Sequence, residues 1–197
     1  MRWSRENEFN VQVRAASQTT GVATALLKAV IAAESAFNPR ALRTEAPRPS
    51  LPPTLDFPLG GDASIGLMQL LVRTARGLGF NGSIEELYDP FINTRLGARL
   101  LRQNLDRTGG NIPSALSAYN GGWRPSLGFG TPLPNGQYGN QAYVTRILGY
   151  YDYFMLQDTT PLPGAGGEGG SVPAPFRRRM GDQLRRRWDD GSAIGGR

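Results

Sequence analysis

Leu26-Leu27-Lys28-Ala29-Val30-Ile31-Ala32-Ala33-Glu34-Ser35-Ala36-Phe37-Asn38-Pro39 places a carboxylate at the end of an apolar helix. Leu26, Leu27, Val30 and Ile31 recur at helical spacing, and Glu34 follows Val30 by four residues and Ile31 by three. Glu34 therefore projects from the stripe that those residues bury. Pro39 cannot continue a helix and biases Asn38 away from helical geometry, so the helix is expected to end near Phe37. Glu34 then lies in the last turn, at the negative end of the helix dipole. Partial burial and that dipole act in the same direction, favouring the protonated carboxyl. A carboxylic acid still protonated near neutral pH can serve as a general acid, although a Glu on a helix face is more commonly structural.

Composition removes several chemistries. The 197-residue chain has no cysteine and no histidine. This excludes disulfides, thiolate metal sites, and the Ser-His-Asp and Cys-His mechanisms, and it removes the commonest zinc ligand. Any catalysis must rest on carboxylates, tyrosines, amides and backbone, and no metal or cofactor is expected. The net charge is +6, with Lys28 the only lysine among the basic residues. Such a balance favours anionic polymers without choosing among nucleic acid, lipid and cell wall.

Around the Glu34 helix the chain reads as an all-α domain. Val11 to Phe37 gives two helices meeting at Gly21. Thr44 to Ser64 carries Pro47, Pro49, Pro52, Pro53 and Pro58 and then Gly60-Gly61, which predicts an irregular surface excursion. Gly66-Leu67-Met68-Gln69-Leu70 leads into a helix ending near Gly77–Gly79. Ser83-Ile84-Glu85-Glu86 has the form of a capping box. Asp89-Pro90 opens a long amphipathic helix with Ile92, Leu96, Leu100, Leu101 and Leu105 on its inner side, stopped by Gly109-Gly110. Ile112 to Tyr119 is helical and delivers Asn120-Gly121-Gly122. After a Gly/Pro-rich loop, Gln141 to Leu156 forms the last helix, with Val144, Ile147, Leu148, Tyr151 and Met155 inward.

The expected organisation is a compact helical domain over residues 1–158, a Gly/Pro-rich linker over 159–176 and a basic, flexible tail over 177–197. Arg177-Arg178-Arg179 and Arg185-Arg186-Arg187-Trp188 make that tail either a solvated appendage or an anchor to a partner or anionic surface. No apolar run is long enough for a transmembrane segment. The stretch Met1 to Glu8 lacks the apolar core of a classical signal peptide.

Four segments occur in order: Glu34-Ser35-Ala36-Phe37-Asn38-Pro39, Gly66-Leu67-Met68-Gln69, Ala118-Tyr119-Asn120-Gly121-Gly122, and Tyr143-Val144 with Ile147-Leu148 and Tyr150-Tyr151. Together they resemble the soluble lytic transglycosylase family, over roughly Val11 to Phe154. The resemblance implies a lysozyme-like fold with a substrate cleft. It also implies cleavage of the β-1,4 bond between N-acetylmuramic acid and N-acetylglucosamine in peptidoglycan, closing a 1,6-anhydro product. In that reading Glu34 is the single catalytic acid and base. Substrate-binding residues would be Ser35, Met68, Gln69, Tyr119, Asn120 and Tyr143. Tyr119 is cast as a donor to Glu34, Asn120 as a contact to the acetamido or peptide-bearing part, and Gly66 as a point of close approach to sugar. Ser35 orients substrate or caps local backbone; Tyr143 lines the cleft or packs in the core.

The sequence also departs from the family pattern. The segment from Glu34 to Gly66 is long and Pro-rich and carries Asp56 and Asp62, either of which would position a water in a hydrolytic muramidase. Gly139-Asn140 stands where the family often has Glu-Thr. Gly121-Gly122-Trp123 replaces Ala-Gly-Pro, which makes Trp123 a candidate for stacking on a sugar face. The implied partners are peptidoglycan glycan strands, with no nucleic acid as primary ligand. Action in the periplasm or cell wall, without a signal peptide, points to an enzyme carried in a virion or phage-like particle. The basic tail would then dock it on a phage tail or secretion assembly. A structural or docking role in such an assembly is the reading from a different class.

Overall fold

The computed structural model describes residues 3–47, 49 and 51–158. The linker and basic tail expected over 159–197 lie outside the described residues. The architecture is mainly helical: α1 (Asn10–Thr20), α2 (Thr24–Ser35), α3 (Val72–Gly77), α4 (Pro90–Arg107), α5 (Ile112–Gly121) and α6 (Gln141–Asp158). Between α2 and α3 lies a small antiparallel sheet of β1 (Leu42–Glu45), β2 (Asp62–Ile65) and β3 (Leu70–Leu71), in the order β1-β2-β3.

Helix α2 is the axis of the domain. Gly21 adopts φ 69° to separate it from α1, and every residue from Ala25 to Ala32 is buried, Lys28 included. A helix that is apolar all round belongs in the interior rather than on a face. It packs along α6, while α4 packs against α1 and α5. The inner side of α6 is Tyr143, Val144, Ile147, Tyr151 and Phe154. Leu148 and Met155, expected inward, are only partly buried. That rotation of the helix brings Tyr143 to the end of α2.

The mainly helical class holds, and the sheet corrects the expectation that the chain from Thr44 to Ser64 is irregular throughout. Leu42 pairs with Ile65 and Glu45 with Asp62, and Ser64 pairs with Leu71. Ala63, Ile65, Leu70, Val72 and Leu96 share one buried cluster beneath it. The Pro-rich segment between β1 and β2 is fastened at its base. Arg73 donates to the carbonyls of Gly61 and Pro52, and Arg76 forms a two-point pair with Asp56, both bonds 2.8 Å. Leu55 and Leu59 stand fully or nearly fully exposed on it.

Helix starts follow their caps. Ser83 and Glu86 complete the expected capping box, Ser83 N–H donating to Glu86 Oε1 at 3.0 Å and Glu86 N–H to Ser83 Oγ at 3.3 Å. The turn they open, Glu85–Tyr88, is 3-10. Asp89 accepts from the backbone N–H of Phe91 and Ile92 at the start of α4. Among the described residues, no helix is long and apolar enough to cross a membrane.

Candidate active site

Glu34 occupies the last turn of α2, which ends at Ser35; Ala36 and Phe37 then take φ 50° and 63°. Two consecutive non-glycine residues with positive φ are uncommon and turn the chain sharply away from the helix. Fully buried Phe37 anchors this turn against Trp3 and Phe154, with ring centroids 6.1 and 6.0 Å away. Glu34 itself is partly buried.

The Tyr143 hydroxyl donates to Glu34 Oε1 at 2.6 Å. Burial pushes the Glu34 carboxyl above its usual range. The Tyr143 hydrogen bond and the positive charges of Arg43 and Arg146 pull it partway back. Tyr143 is buried, and its phenol is pushed well above 10 by that burial and by the Glu34 charge, so it stays protonated and remains a donor. Tyr119 is displaced upward for the same two reasons. Its hydroxyl, however, donates to the Met68 carbonyl at 2.9 Å. The tyrosine on Glu34 is Tyr143, not Tyr119 as expected, because the rotation of α6 supplies the nearer phenol.

The turn after β2 is braced by side chains from three helices. The Ile65 carbonyl accepts from Asn93 Nδ2 at 2.8 Å, and the Gly66 carbonyl accepts from Gln69 Nε2 at 3.1 Å. The Leu67 carbonyl accepts from Ser35 Oγ at 2.7 Å, and the Met68 carbonyl from Tyr119. Four consecutive carbonyls are thus held by α4, the turn itself, α2 and α5. Asn93 also accepts from Met68 N–H at 2.8 Å. Gly66 has φ 77°, and a Cβ there would fall 2.5 Å from Asn93 Nδ2. Its small size is demanded by this asparagine.

The expected binding residues divide accordingly. Ser35 latches α2 to the turn. Met68 is fully buried, its sulfur against Gly97 of α4, where a Cβ would lie 2.5 Å from Sδ. Gln69 adopts φ 44° and also donates to the Ala41 carbonyl at 3.1 Å, tying the turn to the residue preceding β1. Asn120 is exposed, and its Oδ1 accepts from Asn140 Nδ2 at 2.9 Å. Asn140 in turn bonds Ser117 through both side-chain atoms, so it fastens α5 to the residue that opens onto α6. The Trp123 ring carries the Arg107 guanidinium at 4.0 Å rather than an open face on that side.

Both aspartates proposed to hold a water are tied to arginine. Asp62 is 1% exposed; its Oδ1 accepts from Ala63 N–H at 2.8 Å and its Oδ2 lies 3.6 Å from Arg73 Nε. Asp56 is bonded to Arg76, which holds its carboxyl below the usual range. Asn93, Asn140, Arg43 and Arg146 were not among the expected site residues. Nothing local in the sequence around Asn93 marks a buried asparagine as a brace. Among the described residues, no group of three or more His, Cys, Asp or Glu is placed to hold a metal ion.

A mainly helical domain whose central helix ends in a partly buried carboxylate, with a protonated tyrosine on it and a braced glycine turn beside it, has a lysozyme-like architecture. Residues 12–126 match the Transglycosylase SLT domain family, more than half of the chain, and the chain belongs to that family. It is 36% identical over 110 residues to the transglycosylase of Enterobacteria phage PRD1, a match covering 56% of this chain and 33% of the phage protein. The chain therefore spans about a third of the length of that relative.

Among solved structures, an inactive mutant of the lytic transglycosylase Slt from Pseudomonas aeruginosa shares the fold at TM-score 0.54 and 23% identity, covering 82% of this chain and 26% of that one. The 70-kDa soluble lytic transglycosylase bound to bulgecin A aligns at TM-score 0.56 and 21% identity, over 87% of this chain and 28% of that one. The 70-kDa enzyme from Escherichia coli aligns at TM-score 0.53 and 21% identity, over 76% and 24%. At these identities the likeness is one of fold.

Proposed function

We propose that this chain is a peptidoglycan lytic transglycosylase that cleaves the N-acetylmuramic acid–N-acetylglucosamine β-1,4 bond, with Glu34 as its single catalytic acid and base. The observation that carries the reading is the Glu34–Tyr143 pair: a partly buried carboxyl displaced towards its protonated form and oriented by a phenol at 2.6 Å. Membership of the SLT family supports the substrate class.

Protonated Glu34 gives its proton to the glycosidic oxygen as the C1–O bond breaks. The N-acetyl carbonyl of the muramyl residue attacks C1, forming an oxazolinium-like intermediate in place of an enzyme carboxylate adduct. Glu34, now ionised, takes the proton of the muramyl C6 hydroxyl, whose oxygen attacks C1 and expels the acetamido oxygen. The 1,6-anhydro ring closes, and Glu34 is again protonated. Tyr143 donates to Glu34 throughout and holds it in place. The burial of Asp62, 1% exposed, and the pairing of Asp56 with Arg76 disfavour the hydrolytic alternative, which needs a carboxylate open to the substrate and its water.

Mass spectrometry of sugars released from purified peptidoglycan tests this. Anhydro-ended products from the wild type and none from Glu34→Gln are expected; reducing-end products would assign a muramidase instead. The phage relative supports carriage in a virion, which an antibody against the chain, applied to purified particles, would detect.

A further inference from the structure

Phe37 holds φ 63° three residues beyond Glu34, directly after Ala36, which is also left-handed. A bulky side chain gains nothing locally from that conformation, which lasts only where the surroundings over-determine it. The aromatic rings that Phe37 meets are Trp3 and Phe154. Trp3 also lies edge-on to Tyr150 at 4.8 Å and to Tyr153 at 5.6 Å, and stacks on Phe154 at 5.4 Å. All three belong to α6. A single indole therefore lies against both the turn that follows Glu34 and the helix that carries Tyr143. Residues 3–9 precede α1 as a series of turns, and polar groups fasten them to α6 and α2. Glu6, 3% exposed, accepts from the Trp3 N–H and from the Tyr153 hydroxyl, both at 3.1 Å. Lys28 of α2 donates to Asn7 Oδ1 at 3.2 Å, and its ammonium lies 5.6 Å from the Phe154 ring centroid. Buried charges are costly unless they are bonded, so this strap cannot slide without losing its partners. The family match covers residues 12–126, so Trp3 and α6 both lie outside it.

We propose that Trp3 is a positioning residue for the catalytic pair: held against Phe37 and α6 at once, it fixes the separation of Glu34 and Tyr143. This rests on the transglycosylase reading above. A hydrogen bond of 2.6 Å between side chains on two helices tolerates little movement of one helix against the other. Trp3 acts through that bond, so removing the indole costs no more than removing the phenol. The loss falls on the chemical step rather than on the affinity for glycan.

The test is a double-mutant cycle on the release of sugars from peptidoglycan, with kcat and KM measured per folded molecule for Trp3→Ala, Tyr143→Phe and the two combined. Trp3→Ala is expected to lower kcat about fivefold with KM nearly unchanged, and Trp3→Phe to recover most of the loss. In the Tyr143→Phe background Trp3→Ala should change nothing further. Leu101→Ala, a truncation of a fully buried residue on α4, controls for lost stability and should leave kcat in place. Should Trp3→Ala not fold, Trp3→Leu takes its place in the same cycle. Losses that multiply, a loss shared by Leu101→Ala, or an unchanged kcat overturns the proposal.

If wild type releases nothing, the ζ-carbon resonance of the Tyr143 ring, identified by its loss in Tyr143→Phe, decides separately. A phenol bonded to a carboxyl resonates apart from one bonded to water. Movement of that resonance in Trp3→Ala, with none in Leu101→Ala, keeps the positioning role while the transglycosylase reading falls. A resonance that stays in place in Trp3→Ala overturns the role.

Discussion

Glu34 and Asp62 are two carboxylates in one domain, and burial raises both above their usual range. They differ in what surrounds them. Asp62 opens β2 and is 1% exposed; its Oδ1 accepts the N–H groups of Ala63 and Arg73, and its Oδ2, without a hydrogen-bond partner among the described residues, lies 3.6 Å from Arg73 Nε. Glu34 ends a helix, accepts a single phenolic hydrogen bond among those described, and has its cations at a distance rather than in contact. Burial shifts both carboxyls, but only Glu34, partly exposed at a helix end, is within reach of a substrate proton; Asp62 is sealed in the fold.

The comparison is most sharply broken by Glu34→Gln, for which the rate of wall release should fall about a thousandfold. Stability should move the other way. A carboxyl whose folded pKa is raised favours folding below its unfolded value, and that contribution is lost as pH rises through the folded value. The variant should therefore melt above wild type at neutral pH, with the difference closing on acidification. A constant difference in melting temperature between pH 4 and pH 8 would remove the assigned displacement.

Asp62→Ala should do the reverse. It leaves the N–H of Ala63 without its acceptor and removes the carboxylate facing Arg73, whose guanidinium keeps the Gly61 and Pro52 carbonyls, costing about 1–2 kcal/mol in denaturant unfolding. Activity per folded molecule and the identity of the product should be unchanged. A switch of product would return Asp62 to the chemistry.

Tyr143→Phe should lower activity about tenfold. Because the phenol favours ionised Glu34, its removal should also carry the high-pH fall in activity to higher pH; a profile that moves down instead would contradict the assigned hydrogen bond. Tyr119→Phe is the mildest, releasing one carbonyl of the turn for about 1 kcal/mol. Its pH profile should stay in place, since Tyr119 does not touch Glu34.

Much of this was legible from local pattern. The end of α2, the Ser83–Glu86 capping box, the Asp89 cap and the Gly109-Gly110 stop were all readable because their causes lie within a few residues. The sheet was not: Asp62-Ala63-Ser64-Ile65 has one β-branched residue, and its burial comes from the tertiary cluster rather than its own propensity. Glu34 was readable as a candidate, but the choice between Tyr119 and Tyr143 depended on how α6 is rotated. Asn93 braces a turn about 25 residues away, a contact that no periodicity announces.

The turn from Ile65 to Met68 has a consequence for how the site comes into being. Its side-chain braces from other elements span sequence separations of 28, 32 and 51 residues, and the Tyr143–Glu34 bond spans 109. Contacts so distant along the chain form only after large loops have closed. Assembly of the catalytic geometry should therefore be among the last events of folding. An N-terminal fragment that holds Glu34 and the glycine turn but ends before α6 would be catalytically silent, however helical it became.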